Sequence, residues 1–239
     1  MPKSIASASV IAVAALAAAG AFDIVAEAWW RAQIVADSHG DPRVIARMLL
    51  NTAPPVAGVC ANASDAPPTD YDRLMAAISV AESFAHSRVD KLAEDTVVRL
   101  AVLVGAPVPD LSIGAGEIRI STAQRALLAS REPEWAAAQG ELALWLLEPC
   151  RNHRIGVRVL KWIAGQQGLT GRPLDHTTIV ALAAAYNGQA IARDPAHLLA
   201  NATYNEVVYN LYYDLAFREL AAGQPPNKSG GSASAAGTR

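Results

Sequence analysis

From Asp70 to Leu220 apolar residues return every three to five positions, as in Leu74, Ile78 and Ala81 and again in Leu92, Val97, Leu100 and Leu103. That interval follows the ~3.6-residue turn of an α-helix and not the alternation of a strand, so the stretch can bury one side only as a set of packed helices. Alanine far outnumbers valine and isoleucine, which favours the same choice. The 239 residues suffice for one such core with short extensions. The expected fold class is all-α. Turn-forming residues divide the stretch into helices over Arg88–Val104, Ser121–Leu128, Glu134–Leu147, Ile155–Gln166, Thr177–Asn187 and Thr203–Leu220.

The flanks read differently. Asp23 to Leu50 suits one or two helices interrupted at Ser38-His39-Gly40-Asp41-Pro42, and a Pro- and Gly-containing linker follows. The catalytic-size domain is therefore placed at residues 70–222, behind a helical segment and linker at 23–69. Residues 223–239 carry Pro225-Pro226 and repeated Gly, Ser and Ala, too little apolar surface to order a tail. At the other end Lys3 precedes an uncharged stretch, Ser4 to Phe22, which reads as an export signal at residues 1–22. Ala17, Ala18, Ala19 and Gly20 suit cleavage. The 19 residues from Ser4 to Phe22, at ~1.5 Å each, also suit an uncleaved membrane anchor, so both outcomes stand.

Several function classes are excluded. Twenty Lys+Arg against 22 Asp+Glu leave a formal charge of -2, and no global positive field exists to hold nucleic acid. Gly114-Ala115-Gly116 lacks the third glycine and the lysine of nucleotide loops, so no cofactor is implied. The five histidines lack partners at ligand spacing and no metal is indicated. Glu82 and His86, four apart, read as an exposed helix contact. Cys60 and Cys150 exclude a C-x-x-C site and leave two readings, one disulfide or two buried thiols.

Three short elements carry the chemistry. Glu82 projects between Met75 and Ile78, within the apolar arc of its helix, where desolvation favours a carboxyl that keeps its proton. A helix-edge glutamate reaching water is the competing reading. The segment from Leu111 to Arg119, with Ser112 and Glu117, holds two glycines that permit close backbone approach at a cleft; a tight turn before a helix is the plain alternative. Ala183 to Gly188 places Tyr186 on the face of Ile179 and Leu182, with Gly188 as a helix terminator.

In this order the elements resemble the lytic transglycosylases, goose-lysozyme-like enzymes that cleave peptidoglycan glycan strands. The resemblance spans Tyr71 to Asn187. Its motifs are a Glu-Ser at Glu82-Ser83, a Gly-x-x-Gln-aliphatic pattern at Gly114 to Ile118, a Thr-Ala at Thr122-Ala123 and an Ala-Tyr-Asn at Ala185 to Asn187. It implies a lysozyme-like helical domain with Glu82 as single acid and base. Ser83, Ser112, Glu117, Tyr186 and Asn187 would bind the substrate, peptidoglycan glycan strands, in the bacterial periplasm or cell envelope. Two departures stand out: Glu117 occupies the position of the family glutamine, and the segment from Glu82 to Gly114 is longer than in compact members. Asp90, Glu94 and Asp95 on that segment read as a solvated face.

Two alternatives follow from Glu117. It offers a second carboxylate for a hydrolytic muramidase, or it marks an inactive glycan-binding or scaffold module of an envelope machine. After export to an oxidising compartment Cys60 and Cys150 should be joined, adding on the order of 2–4 kcal/mol of stability. Peptide mapping without reductant should recover the two cysteines in one linked fragment; two free thiols in protein from an oxidising compartment would end the idea.

Overall fold

A computed structural model describes residues 25–52, 68–86, 88–131, 137–188 and 203–216. In chain order the helices are α1 (residues 25–38), α2 (Pro42–Thr52), α3 (Asp70–Ala85), α4 (Arg88–Leu103), α5 (Ile120–Ser130), α6 (Gln139–Leu147), α7 (Pro149–Gln166), α8 (His176–Tyr186) and α9 (residues 203–216). Between α4 and α5 a two-stranded antiparallel sheet pairs β1 (Ser112–Ile113) with β2 (Ile118–Arg119), in the register Ser112 to Arg119 and Ile113 to Ile118. The fold is all-α, with that single hairpin among the described residues. The N-terminal stretch Ser4–Phe22, Cys60 and the tail 223–239 lie outside the described residues. Among the described residues no helix is long and apolar enough to cross a membrane.

The helix α3 lies at the centre. Thr69 and Asp72 form a reciprocal capping box at its start, satisfying backbone donors that the first turn leaves over. Every residue from Leu74 to Glu82 is buried, so neighbours enclose the helix on all sides. Its far end is held by α1. Arg31 donates to the carbonyls of Ala85 and His86, and Trp30 meets Phe84 edge-on at 5.8 Å. Ile34, Ile45, Ala46 and Leu49 of α1 and α2 join the same core as Leu74 and Ile78. The segment at 25–52 is thus part of the domain's core and does not precede it as a separate unit.

The helix α7 packs against α3, α5, α6 and α8. It starts at Pro149, a residue whose fixed φ and missing N–H suit the first helical position, and not at Ile155 as periodicity suggests. The difference has a cause: Asn152 and His153 look like loop residues but are buried. Similarly, the segment around Gly114 is more than a tight turn, since β1 and β2 close it into a hairpin.

Asn152 anchors that hairpin. Its Oδ1 accepts from the Gly116 N–H at 2.9 Å, and its Nδ2 donates to the carbonyls of Ile113 and Leu146, both at 2.9 Å. Gly114 sits at φ 74°, and a Cβ there would stand 2.1 Å from the Leu146 carbonyl oxygen, so only glycine fits against the α6–α7 junction. Cys150, next to this junction, is disulfide-bonded.

Replacing Asn152 with Ala would leave one buried N–H and two carbonyls without their partner. Asn152→Ala should cost about 3 kcal/mol or more, read as a lower urea midpoint with an unchanged slope. Wild-type stability in the variant would show that the carboxamide is not the hairpin's anchor.

Candidate active site

Glu82 is 4% exposed, in keeping with its place in the apolar arc and against the helix-edge reading. Its burial is made tolerable by two partners that are far apart in kind. The Tyr204 hydroxyl, from α9, donates to Oε1 at 2.6 Å. The half-exposed His86 imidazole brings Nε2 to 3.5 Å from Oε2, an ion pair at the edge of hydrogen-bond length. The i to i+4 contact expected from the sequence therefore forms, but its carboxylate end is buried.

Glu117 ends the hairpin turn at φ 49°, an uncommon backbone state for a residue with a Cβ. Its side chain is 5% exposed, and Lys91 of α4 places Nζ 3.1 Å from Oε1. The other oxygen, Oε2, is buried without a hydrogen-bond partner. Burial pushes the Glu117 carboxyl up; Lys91 and His86 pull it back, Glu94 pushes it up again, and the net shift is upward.

Tyr186 closes the group from α8. Its hydroxyl donates to the Gly116 carbonyl at 2.7 Å. Burial, then the charges of Glu82 and Glu117, push this phenol well above its ordinary value; burial and Glu82 do the same to Tyr204. Both tyrosines consequently stay protonated and can only serve as neutral hydrogen-bonding groups. The three sequence elements singled out above thus converge: the end of α3, the hairpin turn and the end of α8.

Other expected site residues fall elsewhere. Ser83 is exposed and spends its hydroxyl on the Val80 carbonyl at 2.7 Å, and Asn187 is an exposed cap of α8. Ser112 is half-buried in β1, paired with Arg119. The α4 residues expected on a solvated face divide: Asp90 is exposed, while Glu94 and Asp95 are half-buried and Glu94 acts on Glu117. Sequence reasoning missed Lys91, Tyr204 and Asn152. No local pattern marks the first two, since each acts through one contact with a residue distant in the chain; Asn152 carried a weak signal as a polar residue on an otherwise apolar helical arc.

Two grooves, of about 460 and about 270 Å³, lie on the outer side of α7 and share Arg154 and Arg158 in their walls; Glu82 lines neither. Among the described residues no group of three or more His, Cys, Asp or Glu is arranged to hold a metal ion. The site's chemistry is that of buried carboxylates, each with one cation, beside two phenols.

The Glu82 contact raises the His86 imidazole above its ordinary value of 6.5, against the opposing effect of burial and with support from Glu117. A base with a raised folded value binds extra protons when folded, so its stabilisation is complete below about pH 6.5 and is lost as pH rises through the raised value. Melting temperatures of wild type and His86→Gln should therefore differ between about pH 5 and 6.5 and converge at alkaline pH. The gap should be small, under ~1 kcal/mol, because solvent screens a half-exposed ion pair. A gap that widens as pH rises would contradict this assignment.

Compared with protein-family models, with curated proteins and with solved structures, the chain matches none of them.

Proposed function

We propose that this protein is a peptidoglycan lytic transglycosylase of the bacterial envelope, cleaving the β-1,4 bond between N-acetylmuramic acid and N-acetylglucosamine. The observation that carries this reading is the convergence of the three motifs around one buried glutamate. That glutamate accepts a hydrogen bond from Tyr204 and pairs with His86. The same three elements, together with Thr122-Ala123, carry the family resemblance in that order. The Ser4–Phe22 stretch supports export, and a disulfide-bonded Cys150 suits an oxidising compartment.

In this reading Tyr204 fixes Oε1, and Oε2, beside half-exposed His86, is the atom that meets the substrate. Protonated Glu82 donates to the glycosidic oxygen as the bond to the muramoyl anomeric carbon breaks, while the substrate's own acetamido oxygen stabilises that carbon. The Glu82 carboxylate then accepts the proton of the muramoyl C6 hydroxyl, whose oxygen attacks the anomeric carbon and closes a 1,6-anhydro ring. Glu82 ends protonated, as it began. During the interval in which it is ionised, the Tyr204 hydroxyl and a protonated His86 stabilise the charge.

One observation favours a second reading. The buried Glu117 carboxylate, with Oε2 unpartnered, could activate water in a two-carboxylate muramidase. Mass analysis of products released from sacculi separates the two, since the anhydro product is lighter than the hydrolytic one by a water. Glycan binding without cleavage would instead mark a scaffold module, held at the membrane if the N-terminal segment is retained.

Glu82→Gln should lower glycan cleavage by at least ~10²–10⁴-fold, because a carboxamide neither gives nor takes the proton. The fold and glycan binding should persist, since the amide oxygen can still accept from Tyr204. Unfolding of the variant would make Glu82 structural, and normal cleavage of sacculi would remove it from the chemistry.

A further inference from the structure

The outer side of α7 carries four cations in eleven residues, Arg151, Arg154, Arg158 and Lys161, in a chain whose formal charge is -2. At 3.6 residues per turn, their spacing of three, four and three keeps them within about 80° of arc, opposite buried Asn152, Gly156 and Ile163. Arg151, Arg154 and Lys161 are exposed and Arg158 is half-buried. The helix itself gains nothing from this row. Like charges three and four apart disfavour a helix, and none of the four lies in the last turn, where a cation would favour the helix dipole. Arg151 has a neighbour in Glu148 at 2.8 Å, and Lys161 lies 5.9 Å over the Tyr71 ring. Among the described residues the one carboxylate in the wall of either groove is Asp72, which accepts from the Thr69 N–H and stands 3.4 Å from His153. The groove walls thus hold more cations than that carboxylate balances.

The two grooves add an apolar component to the row. Val157 and Trp162 line the larger one, where the small side chains of Ala126 and Ala129 leave it open; Trp145 and Ile155 line the other. A flat bilayer would meet the cations but not the concave walls beneath them, and an inorganic polyanion has nothing apolar to set against tryptophan. A second helix has both. The row's mean spacing of ~3.5 residues, about 5 Å along the axis, matches carboxylates placed three or four residues apart on a helix lying alongside.

We propose that the outer side of α7 is a docking surface for an acidic amphipathic helix of a partner protein. Its carboxylates meet the row from Arg151 to Lys161, and its apolar side chains enter the grooves beside Trp145 and Trp162. Glu82 lines neither groove, so this surface stands apart from the glycan-cleaving reading.

The test uses the full chain and a stapled, fluorescein-labelled peptide of about 15 residues, with glutamates every three or four positions and leucines between them. Fluorescence anisotropy should show binding that weakens about tenfold or more between about 50 and about 300 mM sodium chloride. Arg154→Glu and Lys161→Glu should each weaken it about tenfold at low salt, while Arg99→Glu, the same charge change on α4, should stay within about twofold of wild type. Circular dichroism and cleavage of sacculi should be unchanged in all three variants, because none touches the Glu82 site. Absence of peptide binding to wild type overturns the proposal, as does equal binding of a peptide with glutamine in place of each glutamate. So does a loss in Arg99→Glu as large as that in Arg154→Glu. Binding of short-chain polyphosphate or phosphatidylglycerol vesicles without binding of the peptide would assign the row to a different ligand and overturn it too.

Discussion

The carboxamide of Asn152 ties together segments that the backbone alone would not hold in register. Through one acceptor and two donor bonds it joins the hairpin turn at Gly116, strand β1 at Ile113 and the end of α6 at Leu146. Each partner is a buried main-chain group, and such groups are costly to leave unpaired. A two-residue strand pair is far too short to be stable alone. The hairpin therefore takes its position from α7, and Glu117 takes its position from the hairpin.

Close packing passes the same constraint to Glu82. Met75, about two helical turns before Glu82 on α3, fills the space that a Cβ on either Gly116 or Gly156 would occupy, at 2.4 and 2.7 Å from its methyl carbon respectively. A single side chain thus contacts the turn, α7 and the core of α3. Displacing it would move the carboxylate-bearing helix relative to the turn, because close-packed interiors transmit volume changes and do not absorb them. The end of α3 is further held by Arg31 from α1, which is why the N-terminal helices count as part of the site's scaffold.

The electrostatic design has two buried carboxylates, each with one cation and each near a tyrosine. Glu82 has His86 and Tyr204; Glu117 has Lys91 and lies near Tyr186. The two cations differ in their use. Lys91 meets Glu117 from a half-buried position, whereas His86 is half-exposed and its imidazole is raised above its ordinary value by Glu82. A proton can therefore be exchanged with solvent through the half-exposed imidazole on the Glu82 side.

The all-α class and the break at His39-Gly40 were legible in the sequence, because each depends on local spacing or on turn chemistry; the helical projection put Glu82 in the apolar arc but left a helix-edge reading beside it, and the meeting of the three segments was implied by the resemblance alone. Helical periodicity is set by the backbone itself, and glycines at positive φ mark turns wherever they occur. Lys91, Tyr204 and the three-way role of Asn152 were decided only by tertiary structure. Their partners lie in other helices, and nothing within one turn of Lys91 indicates that its ammonium will meet Glu117. The start of α7 shows the same limit, since polar Asn152 and His153 read as loop until the packing that buries them is known. Local pattern determines which elements form and which faces they bury; which polar groups meet across those faces is fixed by how the helices dock, a non-local outcome of the whole core.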